Sequence, residues 1–476
     1  MINLILISIW ETLTSRTAIF IYIALVALVF ALLILFILFN EKRREQESKD
    51  IYKAKTDNSI DALIEVVGEK LDDKTANLEE AIIETNRMVR GIGVSKGGRI
   101  EYKPNGQIIE EKPTQTTESR FYMLTEIDKR YENYIEPRYN NKITLKEICE
   151  EFRNFSCSKL KLYYDISDIR RFIAGLSVTK LLILQGMSGT GKTSLAYACG
   201  EFLDNKTIVV PIQPMWKERT DLIGYYNEFT KKFNETTLLY KMYEADNNKE
   251  IYITVLDEMN IARVEYYFAE FLSLLELPNP EGRNLDVVSD VWENDPKLLK
   301  EGKLRLPINM WFIGTANNDD STFSISDKVY DRAMVLNLDK KAEPFEAPEM
   351  KPLKLSIDYL EELFSNARKE YDITDRNLRR IKKLDKYLID TFHITFGNRI
   401  MKQIRSYVPV MVSCGGEELE ALDDILSRKV LRKLESKNPV YVRSQADALI
   451  SFIEDLFGEN KLPLCVEAIR TIEQNV

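Results

Sequence analysis

The polarity of this chain changes character along its length. From Thr17 to Asn40 no charged residue occurs, and Ala18 to Phe39 is nearly all Ile, Leu, Val, Ala and Phe. At about 1.5 Å per residue such a run crosses a hydrocarbon core of roughly 30 Å. Residues 1–40 are therefore expected to form an N-terminal membrane anchor, with a transmembrane helix at about 17–40. The run exceeds the apolar region of a cleaved signal peptide, and no small-residue cleavage site follows it. Lys42, Arg43 and Arg44 come directly after the span and only Arg16 directly before it, which places the long C-terminal part in the cytosol. Met1 to Trp10, also apolar, either lies in the interface or extends the helix.

From Glu41 to Arg90 the chain is polar and free of proline. Ile64, Leu71, Leu78 and Thr85 recur every seven residues, interleaved with Ile60, Val67, Lys74, Ala81 and Met88. This seam over 41–90 predicts a coiled-coil stalk, with a single amphipathic helix as the alternative. Residues 91–140 read as linker, rich in turn residues, with a small hairpin candidate pairing Arg99–Lys103 with Gln107–Glu110.

Beyond the linker, strand-like runs at Leu181, Thr207, Ile251, Met310 and Ala333 alternate with helical stretches. That alternation predicts an α/β doubly wound sheet over 141–345. From Ile357 onward amphipathic helix dominates, so 346–476 is expected to be α-helical.

Composition narrows the chemistry. The 476 residues are 45% hydrophobic and 30% charged, an ordinary globular balance with room for two or three domains. A net charge of −9 gives no overall field for nucleic acid, and direct nucleic-acid binding is not indicated. Five scattered cysteines form no Cys-x-x-Cys pair and read as reduced thiols filling the core. The single histidine, His393, excludes His-rich zinc sites and reads as a packing or surface residue.

The chemistry concentrates after the first strand. Gly186-Met187-Ser188-Gly189-Thr190-Gly191-Lys192-Thr193, continued by Ser194, is a complete phosphate-binding loop between a strand and a helix. Its glycines let backbone N–H groups turn inward, Lys192 is suited to the β and γ oxygens, and the Thr193 hydroxyl to Mg²⁺. Ile251 to Leu256 then runs into Asp257 and Glu258. Asp257 is expected in the Mg²⁺ shell, while Glu258 orients and deprotonates the attacking water. A further apolar run from Met310 ends at Asn317, a polar group placed to sit between that water and the γ-phosphate. Arg332, immediately before the last strand, is what a neighbouring subunit would insert into the nucleotide; a surface salt bridge is the rival reading.

Together these strings resemble an AAA+ ATPase of the MoxR/McrB-like branch, with the motor subunit of McrBC-type restriction systems as nearest relative. The resemblance covers roughly Asn141 to Leu434. It rests also on Leu256-Asp-Glu-Met-Asn260, Arg263-Val-Glu-Tyr-Tyr-Phe268, Leu272-Ser-Leu-Leu-Glu276, Gly314-Thr-Ala-Asn-Asn-Asp319 and Asp327-Lys-Val-Tyr-Asp-Arg332. It implies an AAA+ P-loop NTPase core, a five-stranded parallel sheet in the order 5-1-4-3-2, with a C-terminal α-helical lid. Asn317 becomes sensor 1 and Arg332 the arginine finger. Phe396-Gly-Asn-Arg399 resembles the helix carrying sensor 2, so Arg399 becomes a γ-phosphate contact. Leu277 to Pro307 resembles a hairpin inserted before sensor 1, and Gly224-Tyr-Tyr226 is a pore-loop candidate or simple packing.

The expected function is a membrane-anchored ATPase that hydrolyses ATP with Mg²⁺ in a homo-hexameric ring. Such a ring would remodel or drive a separately encoded effector or substrate protein, as in a restriction-like or defence system. A nucleotide-gated assembly switch or MoxR-type chaperone at the membrane is the alternative, and a DNA translocase the remoter one. No guanine-reading Asn-Lys-x-Asp string occurs, which favours ATP over GTP. An anchor and a stalk stand where restriction-type relatives carry a DNA-reading domain.

Overall fold

The computed structural model describes residues 119–317, 322–339 and 341–474. All of them belong to the compact unit that runs from Pro113 to Val476. The anchor at 17–40, the stalk at 41–90 and the hairpin candidate at Arg99–Glu110 lie outside the described residues. Among those described, no helix is long and apolar enough to cross a membrane.

Five parallel strands form the central sheet: β1 (Leu181–Gln185), β2 (Ile208–Pro211), β5 (Tyr252–Asp257), β8 (Met310–Ala316) and β9 (Met334–Asn337). Their order is β2-β5-β8-β1-β9. Counting core strands alone, this is the expected 5-1-4-3-2 order, and each expected run forms its strand. β1, β5, β8 and β9 are largely buried and read as near-continuous apolar runs, as a helix-covered parallel sheet requires, while the edge strand β2 exposes Val209. Alternation still decides which core each side chain joins. Leu182 and Leu184 enter one apolar cluster, Leu181 and Ile183 the other; Trp311 and Ile313 part from Met310 and Phe312 in the same way.

One cluster packs α2 (Leu145–Leu160), α3 (Ile166–Leu176) and α4 (Lys192–Phe202) with the C-terminal helices. These helices are α10 (Ile357–Glu370), α11 (Asp375–Phe392), α12 (Gly397–Ser413), α13 (Glu418–Lys429), α14 (Pro439–Phe457) and α15 (Pro463–Gln474). A reciprocal capping box between Thr144 and Glu147 starts α2. His393 ends α11 in the left-handed conformation, a helix-terminating role.

The opposite cluster holds α1 (Met123–Tyr131), α6 (Thr237–Ala245) and the helical pair α7 (Val264–Tyr267) and α8 (Ala269–Glu276). Two hairpins join it. One pairs β3 (Gly224–Asn227) with β4 (Lys232–Glu235), and the other pairs β6 (Asn284–Asp286) with β7 (Lys303–Arg305) inside the stretch read as an inserted hairpin. Of the pore-loop candidates, Tyr225 is exposed, whereas Tyr226 is half-buried with its ring edge-on to Trp292. Within the span read as linker, Phe121, Leu124 and Ile127 are fully buried, so the core begins earlier than the composition of 91–140 suggests. All five cysteines are buried and free.

Candidate functional site

The carboxyl ends of the central strands carry the expected chemistry. β1 delivers Gly186 at φ 144°, where an added Cβ would lie 2.5 Å from the Leu338 carbonyl oxygen, so only glycine fits between the two chains. Met187, Ser188 and Gly189 form the exposed crest of the loop, and the Thr190 hydroxyl donates to the Met187 carbonyl at 3.0 Å. Gly191, at φ 92°, turns the chain into α4. The first-turn N–H groups of that helix, together with its dipole, favour an anion at this end. Lys192 is buried; its Nζ donates to the carbonyls of Gly186 (2.9 Å) and Met187 (2.7 Å) and so stands inside the cradle. Ser194, half-buried, follows in the first helical turn. Tyr164 buttresses the loop, its hydroxyl donating to the Gly191 carbonyl at 3.1 Å. Burial raises the pKa of that phenol, keeping it a donor.

A short relay ties the loop to the two carboxylates. The Thr193 hydroxyl donates to Asp257 Oδ1 at 2.8 Å, and the Thr315 hydroxyl donates to the same oxygen at 2.8 Å. Thr315 Oγ1 in turn accepts the Glu258 N–H at 2.9 Å. Half-buried Asp257 is thus fixed by two hydroxyls, while Glu258 projects into solvent beyond the strand end. Glu258 holds φ 52°, ψ 47°, a left-handed conformation that costs a non-glycine residue of order 1–3 kcal/mol and is typical of functional turns. Asn317 follows β8, its carbonyl accepting from the Asn260 amide at 2.9 Å and the Thr322 hydroxyl at 3.2 Å. The same Asn260 amide reaches Thr322 Oγ1 at 3.0 Å and so braces the turn that carries Asn317.

These groups fit a Mg²⁺–nucleotide. One carboxylate and one hydroxyl, joined at 2.8 Å, are the protein's usual share of a Mg²⁺ shell completed by phosphate and water. Among the described residues no group of three or more His, Cys, Asp or Glu could hold a metal ion by itself. A cavity of about 740 Å³, the size of a small-molecule site, opens beside the loop. Gln185, Asp339, Asp165 and Asp168 line it, facing Arg428 and Arg432 from the C-terminal helices. Burial pushes the Asp168 carboxyl up to about 6, Arg171 opposing the shift while Asp165 and Asp424 add to it.

Arg332 and Arg399 do not join this group. Arg332 Nη2 donates to Glu276 Oε2 at 2.6 Å, its Nη1 donates to the Lys328 carbonyl at 2.8 Å, and Arg399 pairs with the other Glu276 oxygen. The β1–β9 register begins with Leu182 against Met334, so Arg332, in the turn just before β9, stands towards the amino end of the sheet. Four strand residues separate the level of Met334 from Gly186, roughly 13 Å and beyond the reach of an arginine side chain. The sequence had marked both arginines for a γ-phosphate. The structure brings them together on one carboxylate, at the end of the sheet opposite the loop.

Thr315, Tyr164, Asn260 and Glu276 escaped the sequence reading as site residues. Three of them lie inside the strings that carry the family resemblance, which was the available signal. Tyr164 carries none, because its contact depends on how α3 meets the loop.

Residues 181–333 match the family model described as AAA domain (dynein-related subfamily), and residues 352–476 match a domain of unknown function, DUF8727. A solved structure described as a "putative ATPase" from Cytophaga hutchinsonii ATCC 33406 is 14% identical, covering 69% of this chain and 96% of that chain at a TM-score of 0.42. So loose a likeness carries no argument. No curated protein matches. The strands, the loop and the carboxylates from Leu181 to Ala333 thus form an AAA domain, followed by a helical C-terminal region.

Proposed function

We propose that this chain is a membrane-anchored nucleoside triphosphatase of the MoxR/McrB-like kind, using ATP in preference to GTP. It works as a ring of copies, a homo-hexamer, to remodel or drive a separately encoded partner protein. The observation that carries the hydrolytic part is the relay Thr193–Asp257–Thr315–Glu258, which couples the phosphate loop to an exposed carboxylate. Bilayer attachment rests on the apolar run at 17–40, and the partner on the resemblance to the MoxR/McrB-like branch.

Hydrolysis follows from the chain's own groups. The loop N–H groups and Lys192 hold the phosphates, and the cavity beside Gln185 takes the nucleoside. Mg²⁺, held by Thr193 and Asp257, supplies charge neutralisation of the phosphate oxygens when bound. Glu258 accepts a proton from water as its oxygen attacks the γ-phosphorus; the bond to the β–γ bridging oxygen breaks, and ADP and phosphate leave. Asn317 orients that water. Arg332 and Arg399, at the far end of the sheet, act on the nucleotide of the adjoining subunit, where they offset transition-state charge.

Glu258→Gln in the full, detergent-solubilised chain is expected to keep nucleotide affinity and lose turnover by about a hundredfold or more. Nucleotide binding beside phosphate release reads both, and wild-type hydrolysis in this variant would overturn the assignment.

A further inference from the structure

The segment that presents Arg332 is gripped by the C-terminal helices. Lys429, the last residue of α13, donates through Nζ to the Tyr330 carbonyl and to the Ala333 carbonyl, the latter at 2.6 Å. Gln403 on α12 donates to the Asp331 carbonyl at 3.2 Å. Three backbone carbonyls around Arg332 are thereby held by two side chains from outside the AAA domain. Two further contacts back the grip: the Arg432 guanidinium lies 3.8 Å from the centre of the Tyr330 ring, and Lys433 Nζ stands 3.5 Å from Asp331 Oδ1.

A buried lysine is costly, and this one is only 4% exposed. Burial pushes it down to about 7, with Asp331 opposing and Arg432, Lys433 and Arg399 adding to the shift. A methionine would fill the same space without that penalty, so packing alone does not explain a lysine here. Its geometry does, since the head group bridges two carbonyls that flank the arginine. The preceding residue, Arg428, lines the cavity beside the phosphate loop. Consecutive residues of α13 thus touch the cavity that Gln185 lines and the backbone on either side of Arg332.

We propose that Lys429, seconded by Gln403, is a positioning residue for Arg332, so that the lid seated on one subunit's nucleotide sets the arginine presented to its neighbour. This rests on the reading of Arg332 as the residue acting across the subunit interface. Lys429 touches no reacting atom; it works through the backbone it holds.

The test uses the full, detergent-solubilised chain with ATP and Mg²⁺, comparing Lys429→Met, Arg332→Ala and the double variant. Lys429→Met is expected to keep KM and equilibrium nucleotide affinity within about twofold of wild type and to lower kcat about tenfold or more, the size expected for a charge-assisted contact. The double variant should be no slower than Arg332→Ala, because both changes disable one element. A loss of affinity in Lys429→Met, or losses that multiply in the double variant, would mean that the lysine merely holds the lid together, and would overturn the proposal. Wild-type kcat in Arg332→Ala would instead sink the reading of the arginine itself. Should Lys429→Met fail to fold, Gln403→Leu carries the same test, with about a threefold fall in kcat, unchanged KM and no added effect on Arg332→Ala.

Discussion

Arg120 shows how much one side chain can organise. Its side chain is fully buried and meets Asp295 with two parallel bonds, Nε to Oδ1 at 2.9 Å and Nη2 to Oδ2 at 2.7 Å, while Nη1 reaches Asp290 Oδ1 at 2.9 Å. The Trp292 ring centre lies 4.5 Å from the guanidinium, and the Arg120 carbonyl accepts the Phe233 N–H at 2.9 Å. One arginine therefore ties the start of the described chain to both hairpins. Removing one partner of a buried pair leaves the other charge desolvated, which costs about 3–5 kcal/mol. Arg120→Met is expected to lower stability by about 3 kcal/mol, read from denaturant melts; a loss below about 1 kcal/mol would show the pair to be dispensable. None of this was legible in the sequence. A lone arginine beside turn-rich linker announces nothing when its carboxylate partners lie 170 and 175 residues away. The phosphate loop, Asp257 and Glu258 were legible because their chemistry is written in consecutive residues. Thr315, which completes the relay, was hidden because its partners, Asp257 and Glu258, come from the end of another strand nearly sixty residues away.

Among the elements, β8 is the one on which the site most depends. It lies between β1 and β5, is buried at every position, and carries Thr315. Gly314 is required there because an added Cβ would fall 2.0 Å from the Met259 sulfur, in the turn directly after Glu258. Gly314→Ala must push Met259 aside. Overpacking of this kind costs about 1–3 kcal/mol, and the displacement reaches the strained Glu258 turn, so kcat should fall more than nucleotide affinity. Adding Met259→Ala makes room for the new methyl and is expected to restore kcat in part. If it restores nothing, the clash is not the cause. The five strands were legible because each is an apolar run closed by turn or acidic residues, and the inserted hairpin because its two short runs flank turn residues. The short α5 (Thr220–Ile223) and α9 (Asp327–Tyr330) were not, since one helical turn carries no periodicity to detect.

At the scale of the whole molecule, the proposed ring would have each chain carry halves of two different sites. The relay with Glu258 stands at the carboxyl ends of the strands, and the Arg332–Glu276–Arg399 group towards the amino end. A head-to-tail contact that joins one copy's relay to the next copy's arginines is heterologous, and repeating it gives a ring where the rotation closes. Complementation between dead variants tests that arrangement without any knowledge of the partner. Glu258→Gln keeps its arginines but cannot activate water; Arg332→Ala keeps its relay but offers its neighbour nothing. Each alone is expected to be inactive. In randomly mixed rings at equal amounts, about one interface in four sets an intact relay against an intact arginine. Hydrolysis should therefore return on mixing and approach about a quarter of the wild-type rate, provided subunits are exchanged under conditions that let rings reassemble. Recovery requires that the two residues act on one nucleotide from different chains, because no single mutant chain in the mixture holds both. Mixed rings demonstrated by crosslinking but still inactive would place Arg332 outside the neighbour's site and leave the relay to work within one chain.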